Sequence, residues 1–552
     1  MISRIRKRSK FDRSLSLSLG DRFDGIRLAG DFSTLAYHYA TISIGSPPQS
    51  FSFVIDTASA LLALPCSGCA TCGQRQRKFA RADSTSSHIV GCGIGGESDC
   101  DSCVKLTDDG PGECAYERSY SEGSSSSGVF VKDLVRFFGD RTENVEMKFG
   151  CQLQADGQIA EQGVDGILGL SQGSLSMLST MNRKGLLPRN AFSLCMNSLG
   201  RGGVMTLGGA DPRLHAPLGT SGTGSTKMFV SERNGFYMLQ LDSVRVIPSQ
   251  DTMSLSTRRR ERRRRMKNTE TENDHDTAII SSQKLRGLVD SKWMIADSST
   301  NTPISMVLDT GSTYSYLQRD VLTYVLSSIK ELCASISTTG VDSHAICKGE
   351  IVQDRELPEQ QVLCFRGLQD GWDSGMLNPT SQESISLPTL QMKFADSSVL
   401  DIPVSRLLMR TDWTAGLHCL GLFPSSKAGG LVVLGANAMH GLDVTFDAEG
   451  SAWAWSPSNC SSNDATLRTV SATDAENDNA HLGILLKNPT DIQFDQHSSG
   501  SPGADDKSLE ALRSLFAGVG VGIIGTMFAL IGLLMFRGMK RKGERGYSRV
   551  AS

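Results

Sequence analysis

Polar and apolar positions alternate in short runs along most of the chain, and glycine punctuates the runs. Residues 37–44, Tyr-His-Tyr-Ala-Thr-Ile-Ser-Ile, alternate with the period of two that puts successive side chains on opposite faces of a strand. Gly45-Ser46-Pro47-Pro48 then stops the run with turn chemistry. Phe51-Ser52-Phe53-Val54-Ile55 and Ile304-Ser305-Met306-Val307-Leu308 are apolar runs that predict strands. The first enters Asp56-Thr57-Ala58-Ser59 and the second Asp309-Thr310-Gly311-Ser312, quartets that suit a tight, hydrogen-bonded loop. Two further apolar strands, Gly166-Ile167-Leu168-Gly169 and Leu431-Val432-Val433-Leu434-Gly435, end on a residue without bulk, where another stretch of backbone can approach closely. Helix-like periodicity is scarce before residue 500, so the body is expected to be mostly β. Matched quartets 253 residues apart predict two related lobes, each presenting one carboxylate.

Composition changes this picture little in the body and a good deal at its ends. With 552 residues, 39% hydrophobic, 21% charged and a formal net charge of -3, the chain is ordinary for a globular protein, and nothing points to a nucleic-acid partner. Residues 1–36 are basic and Ser-rich, without an apolar stretch long enough for a signal-peptide core, so a true N-terminus other than this one is expected, with an unusual targeting signal the alternative. The first lobe is expected over 37–220, with a Cys-rich insertion and a flap, and the second over 221–460. Within the second, residues 250–290 carry Arg258-Arg259-Arg260-Glu261-Arg262-Arg263-Arg264-Arg265, a like-charge run expected to form a solvated loop, with cleavage at its basic sites the sharper alternative. Residues 461–514 read as a flexible stalk. Leu515 to Phe536 holds 22 residues without a charge; as a helix it would span about 33 Å, enough for a bilayer core of about 30 Å. The tail at 537–552 is basic, which by the positive-inside rule makes a single-pass type I topology with the body lumenal or extracellular. A membrane of the secretory pathway is therefore expected, whether endoplasmic reticulum, Golgi or plasma membrane. Gly518 and Gly522 form a GxxxG that offers weak helix pairing.

The chain has 14 cysteines: Cys66, Cys69, Cys72, Cys92, Cys100, Cys103, Cys114, Cys151, Cys195, Cys333, Cys347, Cys364, Cys419 and Cys460. Such clustering in a cytosolic protein would suggest zinc or an iron–sulfur cluster, but the membrane segment argues for an oxidising compartment and disulfides. Spacing leaves the connectivity open.

The Asp-Thr-small-Ser quartets, the His-Tyr-Ala-Thr-Ile-Ser-Ile-Gly-Ser-Pro-Pro-Gln run before the first, and the strand–Gly segments at 165–170 and 431–437 resemble the landmarks of pepsin-like aspartic proteases, in order, over roughly residues 37–460. The resemblance implies a two-lobed, mostly β fold with a cleft between lobes and an aspartic endopeptidase that acts on polypeptides without cofactor or metal. In that chemistry two carboxylates in contact share one proton, one activating water as base and the other polarising the carbonyl as acid. Asp56 and Asp309 would be the pair. By the same resemblance the Thr57 and Thr310 hydroxyls bond across to the other lobe's backbone, while Ser59 and Ser312 support the outer carboxylate oxygens and Gly311 leaves room beside them. Simple loop capping is the plainer reading of the two serines.

Three features depart from pepsin. Ala58 stands where the family has Gly, which would cost of order 1 kcal/mol if the backbone there were left-handed. A pepsin-fold protein that binds peptides without cutting them is the alternative this substitution leaves open. Ala63 stands where a Trp commonly falls, and the flap reads Tyr120-Ser121-Glu122-Gly123-Ser124 after a Cys66/Cys69/Cys72 triplet. These resemble the plasmepsin V-like membrane-anchored aspartyl proteases, which implies that Tyr120 is the flap tyrosine and that Glu122, helped by Gln162, reads an Arg upstream of the cut. Tyr116 is the plainer alternative, a strand residue that packs. A solvated turn is the plainer reading of Glu122.

Overall fold

The computed structural model describes residues 24–460 apart from several internal segments, the two longest being 249–292 and 367–386. The basic insertion at 250–290, the stalk, the 515–536 segment with Gly518 and Gly522, and the basic tail all lie outside the described residues, as does Cys347. Among the described residues no helix is long and apolar enough to cross a membrane.

Strands dominate, in three sheets among the described residues, of fifteen, nine and four strands. The alternation at Tyr37–Ile44 becomes a strand with His38, Ala40, Ile42 and Ile44 buried. It pairs antiparallel with Gln49–Asp56, whose last residues are buried continuously because that strand is covered on both faces. Gln49–Asp56 then pairs parallel with Gly166–Gly169, setting Asp56 opposite Gly169. The second lobe repeats the device: Ile304–Asp309 pairs parallel with Val432–Gly435, setting Asp309 opposite Gly435.

Three features of the structure go beyond what the sequence led us to expect. The body starts before Tyr37: Asp24–Asp31 is a strand between Gly203–Leu207 and Tyr37–Ile44, with Ile26 and Leu28 buried. Its two core residues are enough to hold it in a sheet although the segment around it is basic and polar. Helix is scarce before residue 500, as expected, but the longest helix among the described residues carries a clear period. Arg319–Ser337 is a 19-residue helix that buries Val321, Leu322, Val325, Leu326, Ile329, Leu332 and Cys333, the 3–4 spacing of one helix face. Finally, the lobes share a sheet across the expected boundary. Leu442–Asp447 pairs with Ala191–Met196 of the first lobe, and Ala452–Pro457 and Gly224–Lys227 follow outward. Phe192 and Phe446 stack at 4.7 Å between ring centroids on this joint, with Tyr237 edge-on to Phe446 at 5.2 Å. Its burial makes the joint one continuous core rather than a hinge of loops.

Every described cysteine is disulfide-bonded. Four bridges brace the first lobe: Cys66–Cys151, Cys69–Cys72, Cys92–Cys103 and Cys100–Cys114. Cys364–Cys419 lies in the second lobe, Cys195–Cys460 spans a sequence separation of 265, and Cys333 is also bridged.

Candidate active site

The strands that end at Asp56 and Asp309 bring the two quartets face to face, and the threonines lock them. Thr57 Oγ1 donates to the Leu308 carbonyl at 2.8 Å and accepts from the Thr310 N–H at 3.0 Å. Thr310 Oγ1 donates to the Ile55 carbonyl at 2.9 Å and accepts from the Thr57 N–H at 3.2 Å. Both threonines are buried, so each bond is made where water cannot replace it, and loss of a partner would leave unsatisfied groups costing about 1–3 kcal/mol each.

Around the carboxylates the two turns are nearly equivalent. The Ala58 N–H donates to Asp56 Oδ1 at 2.8 Å and Ser59 Oγ to Oδ2 at 2.5 Å. The Gly311 and Ser312 N–H groups donate to Asp309 Oδ1 at 2.9 and 3.1 Å, and Ser312 Oγ to Oδ2 at 2.7 Å. Burial pushes the Asp309 carboxyl above the ordinary carboxylate range, while bonds from Ser312, Gly311 and the Asp56 side chain pull the other way. Oxygens of both carboxylates lie within 3.2 Å of the point where a Cβ on Gly311 would stand, and like charges so close cannot both ionise freely.

Two glycines beneath the turns explain how they fit. A Cβ on Gly169 would lie 2.6 Å from the Ser59 carbonyl oxygen, and one on Gly435 would lie 2.1 Å from that of Tyr314. Instead the Leu170 N–H bonds to the Asp56 carbonyl at 2.7 Å, and the Ala436 N–H to that of Ser312 at 2.9 Å. In the second lobe Ser315 Oγ donates to Asn437 Oδ1 at 2.8 Å and accepts from the Gly435 N–H at 3.0 Å.

Position 58 and position 311 differ for a steric reason. A Cβ on Gly311 would stand 2.7 Å from Asp56 Oδ1 and 3.2 Å from Asp309 Oδ1, too close to be accommodated. Ala58 carries its methyl without a left-handed backbone, since the described non-glycine residues with positive φ are Ser397, Ser451 and Cys460. The conformational cost raised by the sequence therefore does not arise at Ala58.

The flap segment forms a hairpin from Glu113–Ser119 and Ser125–Arg136. Its turn is closed by the Tyr120 N–H on the Ser124 carbonyl at 2.9 Å and the Gly123 N–H on that of Tyr120 at 3.0 Å. Gly123 has φ +94°, which favours glycine. Tyr120 is half-buried against Cys69, Cys72, Ile159 and Ile167, whereas Tyr116 is buried with Leu61, Ala63, Val90, Cys114 and Phe130. Tyr116 is thus a packing residue, and its ring shares a cluster with the small Ala63. Glu122 lies outside the described residues. Gln162 ends the short helix Gln158–Glu161 with its N–H on the Gln158 carbonyl; its side-chain nitrogen is shielded and has no hydrogen-bond partner among the described residues.

The sequence reading overlooked two residues around that helix. Tyr37 Oη accepts from the Gly163 N–H at 3.1 Å. Ser124 Oγ accepts from the Gln158 N–H at 2.9 Å, linking the flap base to the helix start. The one available signal was the position of Ser124 directly after the flap glycine.

Two lobes that each deliver one hydrogen-bonded carboxylate to a shared junction define the double-carboxylate class of peptidase folds. The Xylanase inhibitor N-terminal family model matches residues 38–209 and the Xylanase inhibitor C-terminal model residues 288–457, together more than half of the chain. The chain belongs to the pepsin-like aspartic protease family. It is 30% identical to Aspartic protease 5 of Toxoplasma gondii over 228 residues, 36% of this chain and 22% of that protein. To Plasmepsin V of Plasmodium falciparum (isolate 3D7) it is 29% identical over 194 residues, 34% of this chain and 32% of that protein. To Aspartic proteinase nepenthesin-2 of Nepenthes gracilis it is 23% identical over 423 residues, 76% of this chain and 77% of that protein. The chain thus spans less than a third of the length of the first two relatives.

Proposed function

We propose that this protein is an aspartic endopeptidase that cuts polypeptides with Asp56 and Asp309 as a proton-sharing pair. The observation that carries the reading is the reciprocal threonine lock, which holds two carboxylates from different lobes within reach of one another. Because burial raises the Asp309 carboxyl, we assign it the role of acid and Asp56 that of base in a pair that shares one proton, the arrangement for which aspartic proteases are themselves the general example. Asp56 takes a proton from water as its oxygen bonds to the peptide carbonyl carbon, and Asp309 gives its proton to the carbonyl oxygen. When the diol collapses, the C–N bond breaks, Asp56 returns its proton to the leaving nitrogen and Asp309 recovers one from the diol. The reading of a binder that does not cut rests on Ala58, whose N–H still reaches the Asp56 carboxylate.

We read the flap as covering bound peptide with Tyr120, and Glu122 with Gln162 as selecting an Arg upstream of the cut by charge complementarity. The similarity to proteins named Plasmepsin V and Aspartic protease 5 fits the resemblance from which this reading comes. We further read residues 515–536 as a single membrane span, with the body lumenal or extracellular in the secretory pathway.

The test is incubation of the full chain with a peptide library across pH, with and without a statine-type inhibitor. Inhibitor-sensitive cleavage enriched for an upstream Arg is expected; no cleavage by the parent protein overturns the assignment. Retention in carbonate-washed membranes by the full chain, and release of a chain ending at 510, tests the anchor. A full chain that washes off overturns it.

A further inference from the structure

The geometry points to Gln76 as a positioning residue that sets the wall of the peptide site beside the flap. Gln76 is 6% exposed, and every polar atom of its side chain is used. Its Oε1 accepts from the Gly73 N–H at 3.1 Å, and its Nε2 donates to the Ile159 carbonyl at 2.7 Å and to the Val164 carbonyl at 3.2 Å. Those two carbonyls bracket Gln162. One side chain thus fixes both ends of the turn that the proposed function places against substrate, and the inference rests on that reading.

The loop that carries Gln76 is built to bear on this turn. The Ala70 N–H donates to the Leu153 carbonyl at 3.1 Å, Thr71 Oγ1 donates to that of Ala155 at 2.7 Å, and the Ala155 N–H returns to Thr71 Oγ1 at 2.9 Å. Gly73 lies so near the short helix that a Cβ there would be 2.0 Å from the Ala160 carbonyl oxygen. Cys69–Cys72 closes the loop and packs with Ile159 and Tyr120, which puts the bridge between the helix and the flap base. Tyr37 Oη also holds Gly163, and Ser124 of the flap holds Gln158. The flap base, the Gln162 turn and the disulfide-closed loop therefore form one packed unit, with Gln76 as its polar centre. Removing Gln76 leaves the Asp56 and Asp309 turns untouched, because no bond from it reaches them.

The experiment uses the full chain with Gln76→Leu, which keeps much of the volume and removes the three bonds. Two readouts are taken: hydrogen exchange of the amides at 158–164, and kcat and KM on matched peptides with Arg or a neutral residue upstream of the cut. Exchange at 158–164 should accelerate about tenfold or more while the Ile304–Asp309 strand is unchanged. KM for the Arg peptide should rise roughly 5- to 20-fold with kcat within about twofold, and the neutral peptide should change less. Unaltered exchange at 158–164, or an equal loss of kcat on both peptides, overturns the role. If the parent protein does not distinguish the two peptides, the substrate reading fails and the exchange result alone decides the brace. Should Gln76→Leu fold poorly, the double variant Cys69→Ser, Cys72→Ser loosens the same loop; unchanged exchange at 158–164 in that variant counts equally against the proposal.

Discussion

The turn at 56–59 and the turn at 309–312 bind their carboxylates through the same kinds of bond, yet one tolerates a methyl and the other has no room for it. At 311 the missing side chain is what lets the backbone pass between two carboxylates, 2.7 Å from Asp56 Oδ1 at the position a Cβ would take. At 58 the backbone N–H does the electrostatic work and the methyl is carried without a left-handed backbone. Equivalent motifs on two lobes therefore do not impose equivalent requirements. Glycine can be demanded by φ or by proximity, and only proximity operates at 311. The surroundings diverge as well: four disulfides brace the first lobe around its turn and flap, whereas the second leans on the Arg319–Ser337 helix.

The strongest way to break the comparison is to remove each carboxylate. Asp56→Asn and Asp309→Asn should each lower kcat by about 10³-fold or more with unfolding still cooperative, since both members of a proton-sharing pair are needed; single-turnover cleavage of a fluorogenic peptide measures it, and residual activity in only one variant would show unequal roles. Next comes Gly311→Ala, which should cost about 10²-fold in kcat by displacing a carboxylate by a fraction of an ångström. Thr57→Val and Thr310→Val test the symmetry of the lock. Each removes one donated and one accepted bond, so each should lower stability by about 2–4 kcal/mol in denaturant titration, and a large difference between them would mean that the lobes bear on each other unevenly.

Titration separates the lobes by sign. Asp309 has a folded-state value raised by burial, so the folded state binds more protons than the unfolded one, and its contribution declines as pH rises through that raised value. Asp165 goes the other way. Burial would raise it, but the Arg77 guanidinium and the Ser52 and Arg77 N–H groups hold it below the ordinary range. Its contribution is present above the unfolded value and lost as pH falls through the depressed one. Melting curves should therefore show Asp309→Asn above the parent at neutral pH and level with it in acid. Asp165→Asn should fall below the parent at neutral pH and converge with it in acid. The smallest effect is expected from Ala58→Gly, with kcat/KM within about twofold of the parent because the bond to Asp56 is a backbone one; a large loss would assign the methyl a purpose of its own.

Much of this was legible in the chain because it depends on local chemistry. Asp-Thr-small-Ser after an apolar strand specifies a turn, and the glycines at 169 and 435 mark where two backbones must touch. What escaped was set by partners far away in sequence. Asp24–Asp31 is a strand only because Gly203–Leu207 and Tyr37–Ile44 flank it, and Leu442–Asp447 joins the first lobe through Ala191–Met196 about 250 residues earlier. Disulfide pairing is non-local in the same way. The Arg319–Ser337 helix is a different case, since its buried residues recur every three or four positions and the period was there to be counted. Gln76 carried no signal, because a glutamine that satisfies three backbone groups is spelled like any other.

Cys460 closes the described part of the chain by bonding to Cys195, in the strand that joins the lobes. Mechanically, this sets where tension applied beyond residue 460 is received. Without the bridge, a pull would load Ala452–Pro457 first and could peel its antiparallel pairing with Leu442–Asp447 one bond at a time. With it, force passes through a covalent link into Ala191–Met196, three strands in from the edge of the shared sheet, so a pull on the chain end is received by the keel of the body rather than by its last plank.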